Sequence, residues 1–408
     1  MANWAKYTQN ALLGGFFALL LGPLSISAAR LVAPRNPTLL RLRLPQLAGV
    51  MPEQSRPALN RQSWFDGTYQ PGTAGFLGQN FPLREPLVRL NNELEYRVLR
   101  QSSANKNYII VGKQNQLYSY DYIAEYCHLR PAVPPERLQE IATNLATLHT
   151  RLKKRGIPLV LVITPSKAAT YPEYIPDQFL PYRQAGSTRS YELFVPLLKQ
   201  HGIPFVDGPA LIQQQKKSTR FPVYPQGGSH WTDLGALPTV RSLVEQLNRQ
   251  RTTTPLPDLS YTEIAPMPPP DGEDTDLAKL LNGITIPTNY TVPYLALKRS
   301  DGAPASKKLV VVGGSFCNRL VHILSKNQIY PTIDFYFYYH RYLQQFPART
   351  IQNAVDTAKL DWPKAIFDSD AIVLEINEEG FGETGRDTHY DTFLSDALTH
   401  IDDNGDVR

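Results

Sequence analysis

The residues best able to do chemistry sit at four turns and strand ends. Gly313-Gly314-Ser315-Phe316 follows the apolar run Leu309 to Val312, and glycines at a strand end let the backbone bend sharply and expose a serine hydroxyl beside free N–H groups. Such a serine serves either as a nucleophile with oxyanion donors in its own turn or as the cap of the next helix. Gly227-Gly228-Ser229-His230-Trp231 offers an imidazole at a helix start, a candidate general base for that serine; the alternative is a half-buried histidine with no chemical task. Thr164-Pro165-Ser166-Lys167, followed by Tyr171, and Glu375-Ile376-Asn377-Glu378 mark two further strand ends. Glu375 falls on a strand with an apolar surround, where an unpaired carboxylate is costly, so it requires a partner such as Lys167 or Arg319. Asp387-Thr388-His389 repeats an Asp-x-His spacing near the C-terminus, or is a surface tripeptide.

These groups can act together only if a fold gathers them. After Pro134 and Pro135, the positions Leu138, Ile141, Leu145, Leu148 and Leu152 recur at steps of three and four, which predicts a helix ending at Gly156. Ile157 to Thr164 is a continuous apolar run, the mark of a strand buried on both faces. The same order repeats as helix 188–200, strand Ile203 to Asp207, helix 232–249, strand Leu309 to Val312 and strand Ala371 to Ile376. Alternation of this kind predicts an α/β fold, a parallel sheet flanked by helices, with ligands beyond the C-terminal strand ends. A hairpin is expected over 108–118 and an amphipathic helix over 76–99. Residues 250–306 carry Pro255, Pro257, Pro266 and Pro268 to Pro270, and read as a structureless excursion.

No charged residue occurs from Tyr7 to Ala29, with Lys6 before and Arg30 after. That length approaches the roughly 20 residues of a spanning helix, and Ser27-Ala28-Ala29 leaves a cleaved signal peptide as the alternative. Residues 1–30 are therefore expected to be a signal anchor or signal peptide, 31–75 a linker, and 76–408 the folded domain. Either export route places that domain outside the cytoplasm, in the periplasm or its equivalent, with the retained anchor holding it to the inner membrane. The 408 residues carry 42 Lys and Arg against 37 Asp and Glu, with no block of like charge, which argues against nucleic acid as a partner. Cys127 and Cys317 are the only cysteines, compatible with one disulfide, and no Cys/His spacing suggests a metal.

Five segments in order resemble the alginate O-acetyltransferase family of the AlgJ/AlgX type. They are Thr164 to Pro176, Ser229 to Ala236, Asp276 to Leu281, Val311 to Phe316 and Glu375 to Glu378. The hairpin from Val111 to Tyr118 is also similar. The resemblance spans about residues 76 to 380 and implies an SGNH-hydrolase-like fold in which Ser315 takes an acetyl group and His230 removes its proton. It implies a membrane-bound O-acyltransferase on the donor side, a polysaccharide hydroxyl as acceptor and no cofactor. Lys167, Tyr171, Trp231, Arg319, Glu375 and Asn377 would then shape the cleft for substrate.

Two departures stand out: Gly228 replaces the aspartate of the family's Asp-x-His, and Gly314 replaces the aspartate before its serine. A triad that loses its orienting carboxylate loses roughly four orders of magnitude in turnover. Either Asp233 or Asp387 substitutes, or a backbone carbonyl orients the histidine, or the site is silent and the fold only binds glycan. An esterase removing acetyl groups would share the same residues. Restoring the carboxylate with Gly228→Asp is expected to raise the esterase rate of a crippled triad by orders of magnitude and to leave a functioning dyad or a remodelled site without a gain.

Overall fold

Why the apolar runs become strands is visible in which way their side chains point. In β3 (Leu159–Thr164), Val160 and Val162 enter one hydrophobic core, whereas Leu159, Leu161 and Ile163 enter another on the opposite face. The period of two along a strand buried on both faces requires this division. The computed structural model describes residues 57–79, 81, 84–104, 108–183, 187–267, 270–381 and 389–407, with scattered positions before residue 56.

The hairpin strands β1 (Ile109–Val111) and β2 (Leu117–Ser119) pair antiparallel, as expected. The main sheet comprises β3, β4 (Phe205–Asp207), β7 (Leu309–Gly313), β8 (Ile333–Phe337), β9 (Tyr342–Phe346), β10 (Thr350–Asn353) and β11 (Ala371–Asn377). Its order is β10-β9-β8-β7-β11-β3-β4. The strands from β8 through β4 run parallel, and β9 and β10 extend one edge antiparallel. One face is covered by α1 (Pro135–Lys154), α3 (Ser190–Gln200) and α7 (His389–His400). The other is covered by α5 (Asp233–Gln250) and α6 (Cys317–Lys326). Two further helices, α2 (Lys167–Thr170) and α4 (Gly208–Ser218), follow β3 and β4 directly. Gly156, at φ +70°, ends α1 as its left-handed conformation requires.

Three expectations are corrected. The excursion over 250–306 is not structureless: β5 (Leu259–Met267) and β6 (Val292–Arg299) form an antiparallel ribbon. The expected helix over 76–99 divides into Tyr69–Gln79 and Arg84–Leu94, the second running on into a π turn at Glu95–Leu99. Cys127 and Cys317 are both buried free thiols, so no disulfide joins them.

The chain divides into two units, Met1–Asn107 with Lys279–Ile286, and Tyr108–Ala278 with Pro287–Arg408. In the first unit, Asn60 and Ser63 form a reciprocal capping box on the helix Arg61–Phe65. Asn92 is buried against the Leu281 carbonyl at 2.7 Å. Of the uncharged N-terminal stretch, residues 9–18 are helical, and among the described residues no helix is long and apolar enough to cross a membrane.

Candidate active site

Ser315 lies in the turn between β7 and α6, at the C-terminal end of a strand internal to the sheet. The turn is tight because nothing larger than glycine fits at its start. A Cβ on Gly313 would stand 2.5 Å from Cys317 Sγ and 2.8 Å from Glu375 Cβ. Gly314 faces the ring of Tyr338, 3.1 Å from where its Cβ would be, so the aspartate usual in the family would press on that ring. The backbone N–H of Gly314 donates to Glu375 Oε2 at 2.7 Å. That donor is thus committed to Glu375, and the N–H of Ser315 is a candidate oxyanion donor within the turn.

His230 precedes α5, whose start is fixed by Thr232. The Thr232 hydroxyl accepts from the Gly235 N–H at 3.2 Å, and the Thr232 N–H donates to the Val223 carbonyl at 2.9 Å. The side chain of His230 reaches Ser315 Oγ through Nε2 at 2.8 Å. Its other nitrogen, Nδ1, lies 3.0 Å from Asp276 Oδ2. Asp276 opens a short helix, Asp276–Leu280, and is itself held by two backbone donors, Ser229 N–H at 2.8 Å and Leu277 N–H at 2.7 Å. The Ser229 hydroxyl also donates to Asp276 Oδ2. A hydroxyl, an imidazole and a carboxylate are thereby joined in series, the arrangement that lets a histidine take a proton from serine while the carboxylate holds its tautomer.

The electrostatics agree with that series. Burial disfavours the charged imidazole of His230, but the hydrogen bond and charge of Asp276, aided by Glu273 and opposed by Arg319, raise its pKa above the ordinary value. Burial likewise penalises the Asp276 carboxylate, and its bonds to His230 and Ser229 more than offset this and hold its pKa low.

The carboxylate beside His230 is thus neither Asp233 nor a backbone group. Asp233 accepts from Arg319 Nη1 at 2.8 Å, and Asp387 lies outside the described residues. His389, its neighbour in the Asp-x-His spacing, is buried with Nε2 2.9 Å from the Glu375 carbonyl oxygen, and burial pushes its pKa down to about 4. Gly228 cannot carry a carboxylate in this packing, since a Cβ there would lie 2.6 Å from the Glu273 carbonyl oxygen. The segment that brings Asp276 occupies the space an aspartate at 228 would need.

Of the six residues expected to shape the cleft, most brace it from behind. Lys167 is fully buried, and its ammonium donates to the carbonyls of Pro225, Gln226 and Gly228 at 2.6, 2.9 and 3.0 Å. It pins the loop that presents His230, and it does not pair with Glu375. Burial pushes its pKa down to about 7, although three carbonyl acceptors favour the charged form. Tyr171 is buried, with its hydroxyl accepting from the Val223 N–H at 3.1 Å. Trp231 is wholly buried and stacks edge-on against Phe316 at 5.7 Å. Glu375 takes the Thr164 hydroxyl and the Gly314 N–H, and Asn377 donates to Thr164 Oγ1 and the Pro165 carbonyl at 3.1 and 3.2 Å. Arg319 alone lines an open cleft, of about 620 Å³.

Sequence reasoning missed Asp276 as a partner of His230, and it missed Ser229, Glu273 and Tyr338. The available signal for Asp276 was its place at the start of the third of the five similar segments, at the end of an acidic run. Among the described residues, no group of His, Cys, Asp and Glu could hold a metal ion.

Comparison with known proteins adds the following. The family described as the SGNH hydrolase-like domain of acetyltransferase AlgX matches residues 109–323. The chain is 27% identical over 202 residues to the "Probable alginate O-acetylase AlgJ" of Pseudomonas putida KT2440, covering 49% of each chain. It is 24% identical over 158 residues to the protein of the same name from Pseudomonas aeruginosa PAO1, covering 39% of this chain and 37% of that one. The chain thus spans about half the length or less of these curated relatives. Among solved structures, the O-acetyltransferase domain of P. putida AlgJ aligns with a TM-score of 0.47 at 18% identity, over 71% of this chain and 98% of that one. P. aeruginosa AlgX aligns with a TM-score of 0.43 at 14% identity, over 70% of this chain and 65% of that one.

Proposed function

This chain belongs to the family of SGNH hydrolase-like AlgX acetyltransferase domains, and from that premise we propose that it is an O-acetyltransferase that modifies an exopolysaccharide through an acetyl ester on Ser315. The observation that carries this reading is the series Ser315 Oγ, His230 and Asp276 Oδ2 at 2.8 and 3.0 Å. In the first half-reaction, Ser315 Oγ attacks the carbonyl carbon of an acetyl donor while His230 Nε2 takes the hydroxyl proton. The donor's C–O or C–S bond breaks, and His230 returns the proton to the leaving group. In the second, a sugar hydroxyl attacks the acetyl-serine, its proton passes through His230 to Ser315 Oγ, and the acetyl group leaves on the sugar oxygen. The Ser315 N–H stabilises the oxyanion in both steps, and the start of α6, directly after the nucleophile, adds its favourable dipole.

The names of the relatives, which speak of alginate O-acetylation, support a polysaccharide acceptor. Acetyl groups arise in the cytoplasm, so a folded domain outside it draws them through a membrane-bound O-acyltransferase. The uncharged stretch from Tyr7 to Ala29 would anchor the domain near that donor. Incubation with an activated acetyl ester followed by intact-mass measurement tests the chemistry. One added acetyl group, mapped to Ser315 and lost in Ser315→Ala, is expected. No adduct, or an adduct that survives that substitution, contradicts the assignment. Comparing release of the adduct to water and to a glycan distinguishes a transferase from an esterase.

A further inference from the structure

Ser315, His230 and Asp276 are carried by three segments: the turn that opens α6, the loop before α5 and the acidic run Gly272–Thr275 that leads into Asp276. One side chain joins all three. Arg319, in the first turn of α6, donates through Nη1 to Asp233 at 2.8 Å and through Nη2 to Asp274. Asp233 is the first residue of α5, three positions after His230, and Asp274 lies two positions before Asp276. Nε of the same guanidinium stands 3.7 Å from Glu273 Oε2, and the neighbouring Asn318 donates through Nδ2 to Glu273 Oε1 at 2.7 Å.

This geometry asks for an arginine. Two carboxylates on different segments meet two ends of one rigid planar fork, whereas a lysine ammonium is a point charge without fixed directions. The Arg319 side chain is mostly buried, so its ion pairs are screened less than exposed ones such as Arg241 with Asp258. The carboxylates also depend on it. Burial, with the repulsion of Asp233 and Glu273, pushes Asp274 up to about 6 against the opposing charge of Arg319. Without that cation, Asp233, Glu273 and Asp274 either repel one another or take up protons. In both cases the acidic run loses its bond to α5 and α6.

Resting on the acetyl-serine reading, we propose that Arg319 is a positioning residue: its guanidinium clamps the acidic run to the starts of α5 and α6 and so keeps Asp276 on His230 Nδ1. A carboxylate two positions from its histidine is held in place by the chain itself. Asp276 is 46 positions from His230, and its placement depends on contacts between segments. The Arg319 fork supplies such a contact from the helix that follows the nucleophile.

The experiment uses the full chain and the acetylation of Ser315 by an activated ester, with kcat and KM separated. Arg319→Gln should lose about a hundredfold in kcat, the cost of a misplacement of about 1 Å, with KM within about threefold. Arg319→Lys keeps the charge without the fork and should stay about tenfold or more below wild type. Added to Asp276→Asn, Arg319→Gln should cost no more than a further few-fold, because it acts through Asp276. A second measurement needs no chemistry: NMR titration of the His230 imidazole in Ser315→Ala protein. Burial opposes the charge on His230, and against it the bond to Asp276 counts for more than the opposing charge of Arg319. Losing the clamp should therefore lower the His230 midpoint, whereas losing a nearby cation alone would raise it. Should Arg319→Gln fail to fold, Asp233→Asn and Asp274→Asn with Arg319→Gln leave no stranded charge and should show the same loss and the same fall. A midpoint that rises or stays, a loss confined to KM, full rescue by Arg319→Lys, or losses that multiply with Asp276→Asn each overturn the proposal. Absence of any acetyl-serine in the wild type defeats the mechanism, whereas the titration still decides the clamp.

Discussion

His230 must be neutral to accept the Ser315 proton, so its protonation sets the acid side of activity. Because Asp276 raises the imidazole pKa above 6.5 against the opposing effect of burial, the protein should be inactive below that raised value and gain rate as pH climbs through it. The pH dependence of acetyl-ester cleavage should therefore show an acid limb with its midpoint above 6.5, in contrast to an unperturbed histidine. In Asp276→Asn the raising contribution disappears and burial remains, so the midpoint should move down while the maximal rate falls by roughly three to four orders of magnitude. A midpoint that stays in place would mean that Asp276 does not act on His230. Glycine turns and a strand end singled out Ser315 and His230 in the sequence, but only the ordered set of similar segments favoured chemistry over a helix cap and an idle histidine; the structure brings the two side chains to 2.8 Å. Asp276 was not singled out: the third member of the series need only reach Nδ1 in space, and no spacing along the chain announces it. Lys167 and Glu375 were noticed for their types and misread in role, since charge and strand position cannot tell a cleft residue from one that braces a loop.

The loop from Pro225 to Ser229 is the element on which the site depends. Lys167 holds it through three carbonyls, and Gly228 lets it lie against the backbone of Glu273 and Asp274. Lys167→Met keeps the bulk but strands buried carbonyls, which should cost about 2–4 kcal/mol in urea unfolding and slow serine acetylation as His230 loses its placement. Gly228→Asp should not rescue or accelerate anything. It should destabilise by about 1–3 kcal/mol by overpacking, and an increase in esterase rate would show that the Asp276 arrangement is not the working one. The strands β3 and β7 were readable because they are buried on both faces and their patterns answer to two cores, and α1 because its apolar stripe answers to one. The ribbon β5 and β6 was hidden by its prolines, and β8 to β10 by a run of tyrosines and polar residues in which β9 is half-buried and the edge strand β10 exposed. The β-bulge between Tyr261 and Ile264 also breaks the alternation that would have marked β5 as a strand.

At the scale of the molecule, the α/β alternation was sufficient to place ligands at the C-terminal strand ends, where Ser315 is found. The division of the chain was less legible, because Lys279–Ile286 joins residues that precede it by almost two hundred positions, and no local composition signals that return. Ser315, His230 and Asp276 all belong to the unit Tyr108–Ala278 with Pro287–Arg408. Deleting residues 1–30 should therefore leave the rate of Ser315 acetylation by a soluble ester within about twofold, measured by intact mass, while weakening modification that depends on a membrane-held donor. The central claim is that three residues from separate segments act as one unit. Its most direct test is the rate of Ser315 acetylation in His230→Ala, Asp276→Ala and the double variant. Residues that act together are not additive, so the double variant should be no more than a few-fold slower than His230→Ala alone. Losses that multiply, with the double variant slower by the product of the two single effects, would contradict the account.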